Sequence, residues 1–189
     1  QDYAVTLRNN SDLKRIIVPT YAVSSGIKFV NGKYFTTALP YKQLALDATL
    51  EKSQHKRLTV LVIGETARAA NYSLNGHEHD TNKFTKQFDV SFFKNVTSCG
   101  TETSVSVPCM FSNLTRQAYS LKKAKAQDNM LDIIQRAGVE TVWIDNNGGC
   151  KGVCKNVKNI DIREAYADNK NYCGREGCYD GALVEELKK

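Results

Sequence analysis

The residues able to do chemistry in this sequence fall in three short stretches. The first is Gly64-Glu65-Thr66, directly after the apolar run Leu58-Thr59-Val60-Leu61-Val62-Ile63. A carboxylate at the carboxyl end of a buried strand stands where open α/β sheets place ligands; capping a following helix is its plainer role. The second is Cys99-Gly100-Thr101-Glu102-Thr103-Ser104, ahead of a predicted helix over Thr103 to Asn113 that contains Pro108. A helix start offers unpaired N–H groups and a field suited to phosphate oxygens. The same field favours an alkoxide on a hydroxyl placed there. Capping is the ordinary job of such a threonine, and spacing alone does not rank Thr101, Thr103 and Ser104. The third stretch is Asp145-Asn146-Asn147-Gly148-Gly149-Cys150-Lys151-Gly152, after a predicted strand over Val139 to Ile144. Asn147 can donate through its amide and Lys151 can offer a mobile positive charge, both suited to phosphate. It is not a P-loop, because Gly-x4-Gly-Lys-Ser/Thr is absent; a polar, stapled loop is its bland reading.

Histidine is scarce. His77 and His79 alternate with Glu78 and Asp80 in a loop with no third ligand nearby, so they read as surface or substrate-edge residues. The six cysteines stand at 99, 109, 150, 154, 173 and 178. Their order suggests three local pairs, Cys99–Cys109, Cys150–Cys154 and Cys173–Cys178. A structural zinc module would favour Cys-x2-Cys knuckles with companion ligands, so the spacing favours disulfides and an oxidising compartment. Thioredoxin-like redox work needs a Cys-x-x-Cys that is absent. A Cys99–Cys109 bond would brace the turn that carries Thr103.

The elements that must position these residues follow from patterning. Hydrophobic residues are 41% and charged residues 24% of the chain, an ordinary globular balance. Lys and Arg number 26 against 20 Asp and Glu, a net charge of +6 compatible with an anionic substrate or membrane surface. No apolar stretch approaches the roughly 20 residues that cross a bilayer, and Gln1-Asp2-Tyr3 lacks the start of a signal peptide. Residues 1 to about 25 form an amphipathic segment through Leu7, Leu13, Ile16, Ile17 and Tyr21, which Pro19 kinks or ends. Residues 26–57 read as a weakly alternating linker ending in the polar run Glu51 to Arg57.

The β-branched run Leu58 to Ile63 reads as a central parallel strand covered on both faces. A polar loop over 71–86 follows, then a second strand candidate over Val90 to Val96. A helix over Gln127 to Ala137 turns Met130, Leu131, Ile134 and Ala137 inward and stops at Gly138. Strand Val139 to Ile144 and a helix over Tyr179 to Lys189, with Asp180 as its possible cap, complete an α/β pattern. The domain division is 1–57 and 58–189.

Longer motifs then become recognisable. Gly64-Glu65-Thr66-Ala67-Arg68-Ala69 with Tyr72-Ser73-Leu74-Asn75-Gly76 resembles the opening of the catalytic domain of lipid A phosphoethanolamine transferases. So does Asn95-Val96-Thr97-Ser98-Cys99-Gly100-Thr101-Glu102-Thr103, continuing through Ser106-Val107-Pro108-Cys109-Met110-Phe111-Ser112. Asp145-Asn146-Asn147 with Lys151-Gly152, and Cys173 with Cys178, extend the match. This family includes the mobilised colistin-resistance enzymes and lies in the alkaline phosphatase and sulfatase superfamily. The resemblance runs from about residue 58 to the end. Two local departures, Ala70-Asn71 for a frequent Asp-His and Asn82-Lys83 for a residue-Pro turn, touch substrate-edge positions.

The resemblance implies a partial alkaline phosphatase/sulfatase-like α/β domain, with a central mainly parallel sheet flanked by helices. It implies Glu65 as a Zn2+ ligand and Thr103 as both ligand and nucleophile, carrying phosphoethanolamine covalently. Asn147 and Lys151 match positions that contact the phosphoethanolamine group. The family's remaining zinc ligands, an Asp-His pair and a further histidine, come from a later part of the domain, so this chain is expected to hold only the first part. The implied donor is phosphatidylethanolamine and the acceptor lipid A or a related envelope glycan, with no nucleic-acid partner. The implied location is the periplasmic face of the bacterial inner membrane, reached through a transmembrane domain not in this sequence. A periplasmic phosphatase- or sulfatase-like hydrolase is the rival enzyme, though the Cys/Ser-x-Pro-x-Arg sulfatase signature is missing. A non-catalytic, disulfide-stapled binding domain is the rival of another class.

Overall fold

The computed structural model describes residues 20–35, 38–51, 55–64 and 66–189. It divides into two compact units, Gln1–Pro40 and Tyr41–Lys189. The amphipathic segment expected over the first residues lies largely outside the described ones. In the first unit, helix α1 (Thr20–Val30) runs into a π-helical turn over Asn31–Phe35. The linker expected from residue 26 therefore begins later. Val23, Ile27, Val30 and Tyr34 recur at helical spacing, a period stronger than the weak alternation read there. All four are exposed. Among the described residues no helix is long and apolar enough to cross a membrane.

The second unit is α/β. Its helices are α2 (Thr103–Met110), α3 (Leu121–Lys125), α4 (Met130–Arg136), α5 (Ile162–Ala165) and α6 (Gly181–Leu187). Strands β1 (Val142–Asp145) and β2 (Lys158–Asp161) pair in parallel, Val142 opposite Lys158 and Asp145 opposite Asp161. A short antiparallel pair, β3 (Cys173–Gly174) and β4 (Gly177–Cys178), precedes α6. The connection from β1 to β2, residues 146–157, contains no helix and carries both Asn147 and Lys151.

Helix α4 starts at Met130 rather than Gln127 because Asn129 caps it. Asn129 Oδ1 accepts from the Leu131 amide, and Asp132 Oδ2 accepts from the Asn129 amide at 2.8 Å, a reciprocal capping box. Gly138 ends it with φ +99, a left-handed conformation that glycine adopts without steric cost. Asp180 occupies the cap position of α6 but makes no cap bond; its Oδ1 accepts from Asn146 Nδ2 at 2.8 Å instead.

Two apolar clusters hold these elements. Val107, Phe111, Leu131, Cys150, Val153, Cys154 and Val157 form the first, with Ile63, Ile134 and Trp143 against it. Phe111 meets Trp143 edge to face at 5.7 Å. The second joins Ile162, Tyr166 and Ala182 with Ile144, Tyr172 and Leu183.

Neither Leu58 to Ile63 nor Val90 to Val96 forms a strand. A strand requires a neighbour's backbone hydrogen bonds, and no described segment supplies them. Leu58 and Val62 are 80% and 82% exposed, and only Ile63 reaches the core.

Candidate active site

The Thr103 turn is held from several sides. Glu102, not Thr103, takes the N-cap position of α2, with extended φ −97 and ψ 134, and its carbonyl accepts from Val105 and Ser106. Thr103 is the first helical residue and half-buried, whereas Thr101 and Ser104 are exposed. Thr103 is therefore not the N-cap residue, and Glu102, which is, makes no side-chain cap bond. The Cys99–Cys109 disulfide ties the entering loop to the helix. Gly100 lies close under Val105: a Cβ there would meet Val105 Cγ1 at 3.1 Å. Arg116 Nη1 donates to Thr97 Oγ1 at 3.2 Å, and Tyr119 OH donates to the Val105 carbonyl at 3.3 Å. Burial raises the Tyr119 phenol above its ordinary value, keeping it a donor.

The Asn147–Lys151 loop is held equally firmly. Asp145, buried at the end of β1, accepts from the amides of Gly149 at 2.6 Å and Asn147 at 3.3 Å. Asn146 Nδ2 also donates to the Cys178 carbonyl at 2.9 Å. Gly148, Gly149 and Gly152 have positive φ, and Lys151 adopts φ +54 between them. Lys151 Nζ donates to the Gly148 carbonyl at 2.6 Å, folding the cation over its own loop. The Cys150–Cys154 and Cys173–Cys178 disulfides are formed, as their spacing suggested.

Glu65 lies outside the described residues, but its surroundings are informative. Thr66 has φ +53, a strained conformation for a β-branched residue. Among the described non-glycine residues only Ala45, Thr66 and Lys151 have positive φ, so two of three adjoin or are expected site residues. Such strain gathers at functional sites. One core also serves all three stretches. Ile63 precedes Glu65 closely, Val107 lies one turn beyond Thr103, and Cys150 adjoins Lys151; all three meet in the same apolar cluster.

A zinc site uses about four N, O or S donors. Among the described residues no group of three His, Cys, Asp or Glu is placed to hold a metal. All six cysteines are disulfide-bonded, and His77 and His79 meet edge to face at 5.5 Å rather than converging on a centre. The described donors do not by themselves complete a zinc site.

Sequence reasoning missed Asp145 as the loop's anchor, and Asn129 with Asp132. The Asn-x-x-Asp spacing before an apolar run was the available signal for the latter pair. It also missed a knot that ties α4 and Asp128 to residues 41–44. Asp128, 3% exposed, accepts from Tyr41 OH at 2.7 Å, the Leu44 amide at 3.0 Å and Arg136 Nη2. Arg136 Nη1 donates to the Leu44 carbonyl at 2.6 Å. Burial alone would raise the Asp128 carboxyl, but the Leu44 amide, Arg136 and Tyr41 together hold it below the usual carboxylate range. Tyr41 is pushed up to about 12, first by burial and then by its bond to Asp128.

The second unit is thus an α/β arrangement with a half-buried threonine at a helix start and positive-φ residues at Thr66 and Lys151. The sulfatase family model matches residues 57–189, and the chain belongs to that family. Within it the similarities are to phosphoethanolamine transferases. The chain is 37% identical over 193 residues to phosphoethanolamine transferase EptA of Escherichia coli strain K12, covering 100% of this chain and 35% of that protein. To phosphatidylethanolamine transferase Mcr-1 of Escherichia coli it is 37% identical over 182 residues, 93% of this chain and 33% of the relative. The integral membrane lipooligosaccharide phosphoethanolamine transferase A of Neisseria meningitidis superposes with a TM-score of 0.86 at 40% identity. That match covers 100% of this chain and 35% of the other. The chain thus spans about a third of the length of the curated relatives it matches.

Proposed function

We propose that this chain carries the nucleophile of an enzyme that transfers phosphoethanolamine from phosphatidylethanolamine to lipid A or a related envelope glycan. The carrying observation is the placement of Thr103 as the first, half-buried residue of α2, with Glu102 at the N-cap position before it. Thr103 Oγ attacks phosphorus, the bond to the diacylglycerol oxygen breaks, and that oxygen takes up a proton as the threonine loses one. A phosphate oxygen of the acceptor then attacks the same phosphorus, the bond to Thr103 Oγ breaks, and that oxygen takes up the proton the acceptor phosphate gives up. Amides at the helix start, Asn147 and Lys151 stabilise the non-bridging oxygens. The relatives' names support this transfer. The reading includes Zn2+ as cofactor, with Glu65 and Thr103 as two of its oxygen ligands. It places the reaction at the periplasmic face of the inner membrane, in keeping with three disulfides.

Incubating the whole protein with phosphatidylethanolamine, with and without lipid A, tests the reaction class. Diacylglycerol and modified lipid A are expected in equal amounts. Phosphoethanolamine released to water, with lipid A unchanged, would point to the hydrolase. Metal content of the same protein should fall in Glu65→Ala, and unchanged zinc stoichiometry would remove Glu65 from the ligand set.

A further inference from the structure

The capping box of α4 uses only half of its hydrogen-bonding capacity on the helix. Asn129 Oδ1 caps Leu131, while its Nδ2 donates to the Val153 carbonyl at 2.9 Å. Asp132 Oδ2 accepts from the Asn129 amide, while its Oδ1 accepts from Asn156 Nδ2 at 2.8 Å. Each side chain thus holds the helix start with one atom and the segment after Lys151 with the other. Asn129, Asp132, Lys151, Val153 and Asn156 line one cleft of about 860 Å³. Asp132 is buried, so its contacts are shielded from competing water.

Lys151 itself is in a conformation that an isolated chain avoids, with φ +54, and Val153 and Cys154 just beyond it are buried in the core. Something must hold the backbone on both sides for that conformation to persist. Asp145 holds the side before it through Gly149 and Asn147. On the side after it act the Cys150–Cys154 bridge, the Val153 and Cys154 amide bonds to Cys150, core contacts, and the side chains of Asn129 and Asp132.

We propose that Asn129 and Asp132 are positioning residues for Lys151. They couple the start of α4 to the loop that presents the lysine, a role distinct from capping. The inference rests on the reading of Lys151 as a phosphate contact, and two separate readouts keep the pair distinguishable.

Asn156→Asp leaves the cap intact but sets two carboxylates against each other. Hydrogen exchange at the Val153 and Cys154 amides, which bond to Cys150, should quicken about tenfold, the scale of one lost hydrogen bond. The Ala137 amide, inside α4, should keep its rate. Combining Asn156→Asp with Asp132→Asn reverses the donor and acceptor, and the slow exchange should return. Asn129→Ser keeps a good cap residue but removes the donor to Val153, and should quicken the same loop amides. Unchanged loop exchange in Asn156→Asp and Asn129→Ser, or no rescue by the reversed pair, overturns the coupling.

The second readout is affinity for O-phosphoethanolamine, followed by phosphorus NMR. It should weaken in Asn156→Asp, recover in the reversed pair, and weaken in Lys151→Ala. Wild-type affinity in Lys151→Ala removes the phosphate role of Lys151, whatever the exchange shows. Wild-type affinity in Asn156→Asp alongside a loss in Lys151→Ala overturns the positioning role.

Discussion

Replacing Thr103 by alanine in the whole protein is expected to abolish the phosphoethanolamine adduct and to lower transfer by several orders of magnitude. Loss of an attacking group typically costs on the order of 10⁴–10⁶ in turnover. The helix should survive, because Glu102 holds the N-cap position and alanine is a strong helix former. Intact-mass analysis after incubation with phosphatidylethanolamine reads the adduct, and circular dichroism reads the fold. An adduct of undiminished mass in Thr103→Ala would remove Thr103 as nucleophile. Serine at the same position should keep part of the activity, since it restores an oxygen at the same point. Alanine at Thr101 or Ser104, both exposed, should leave the adduct in place.

The largest effect on stability is expected at Asp128. Alanine there leaves Arg136, only 27% exposed, without its carboxylate, and strips Tyr41 and the Leu44 amide of their acceptor. Removing one partner of a buried, hydrogen-bonded ion pair costs roughly 3–5 kcal/mol. Urea unfolding should show this as a lower midpoint, and a loss below about 1 kcal/mol would mean that the knot contributes little.

The same knot gives stability a pH dependence. Because the folded Asp128 carboxyl sits below its ordinary value, its contribution is present above about pH 4 and is lost as pH falls below that. The folded Tyr41 phenol sits at about 12, so its contribution holds below pH ~10 and is lost as pH rises from there towards 12. In Asp128→Ala both slopes should flatten.

How much of this was legible in the sequence depended on how local each determinant was. The cysteine pairs were legible because each lies within a short stretch. Helix α4 is legible from Leu131, Ile134 and the stop at Gly138, but the Asn129–Asp132 box moves its start from Gln127 to Met130. Helix α1 continues past residue 26, where weak alternation suggests a linker, because Val23, Ile27 and Val30 keep its period. The apolar run Leu58 to Ile63 has the composition of a buried strand, yet pairing depends on partners far away in sequence. Asp145 was visible within its cluster, but an aspartate after a strand does not announce that it will bind amides two and four residues onward. The Asp128 knot was invisible, since it joins residues 41 to 44 to residues 128 and 136 and leaves no local pattern.

The three disulfides span sequence separations of only 10, 4 and 5 residues. Closing such small rings removes little freedom from the unfolded chain compared with a long one. Their value is therefore in local stiffness rather than in holding distant parts of the chain together. It also simplifies biogenesis. Each cysteine is followed by its partner within 10 residues, so oxidation can follow chain order with little later reshuffling.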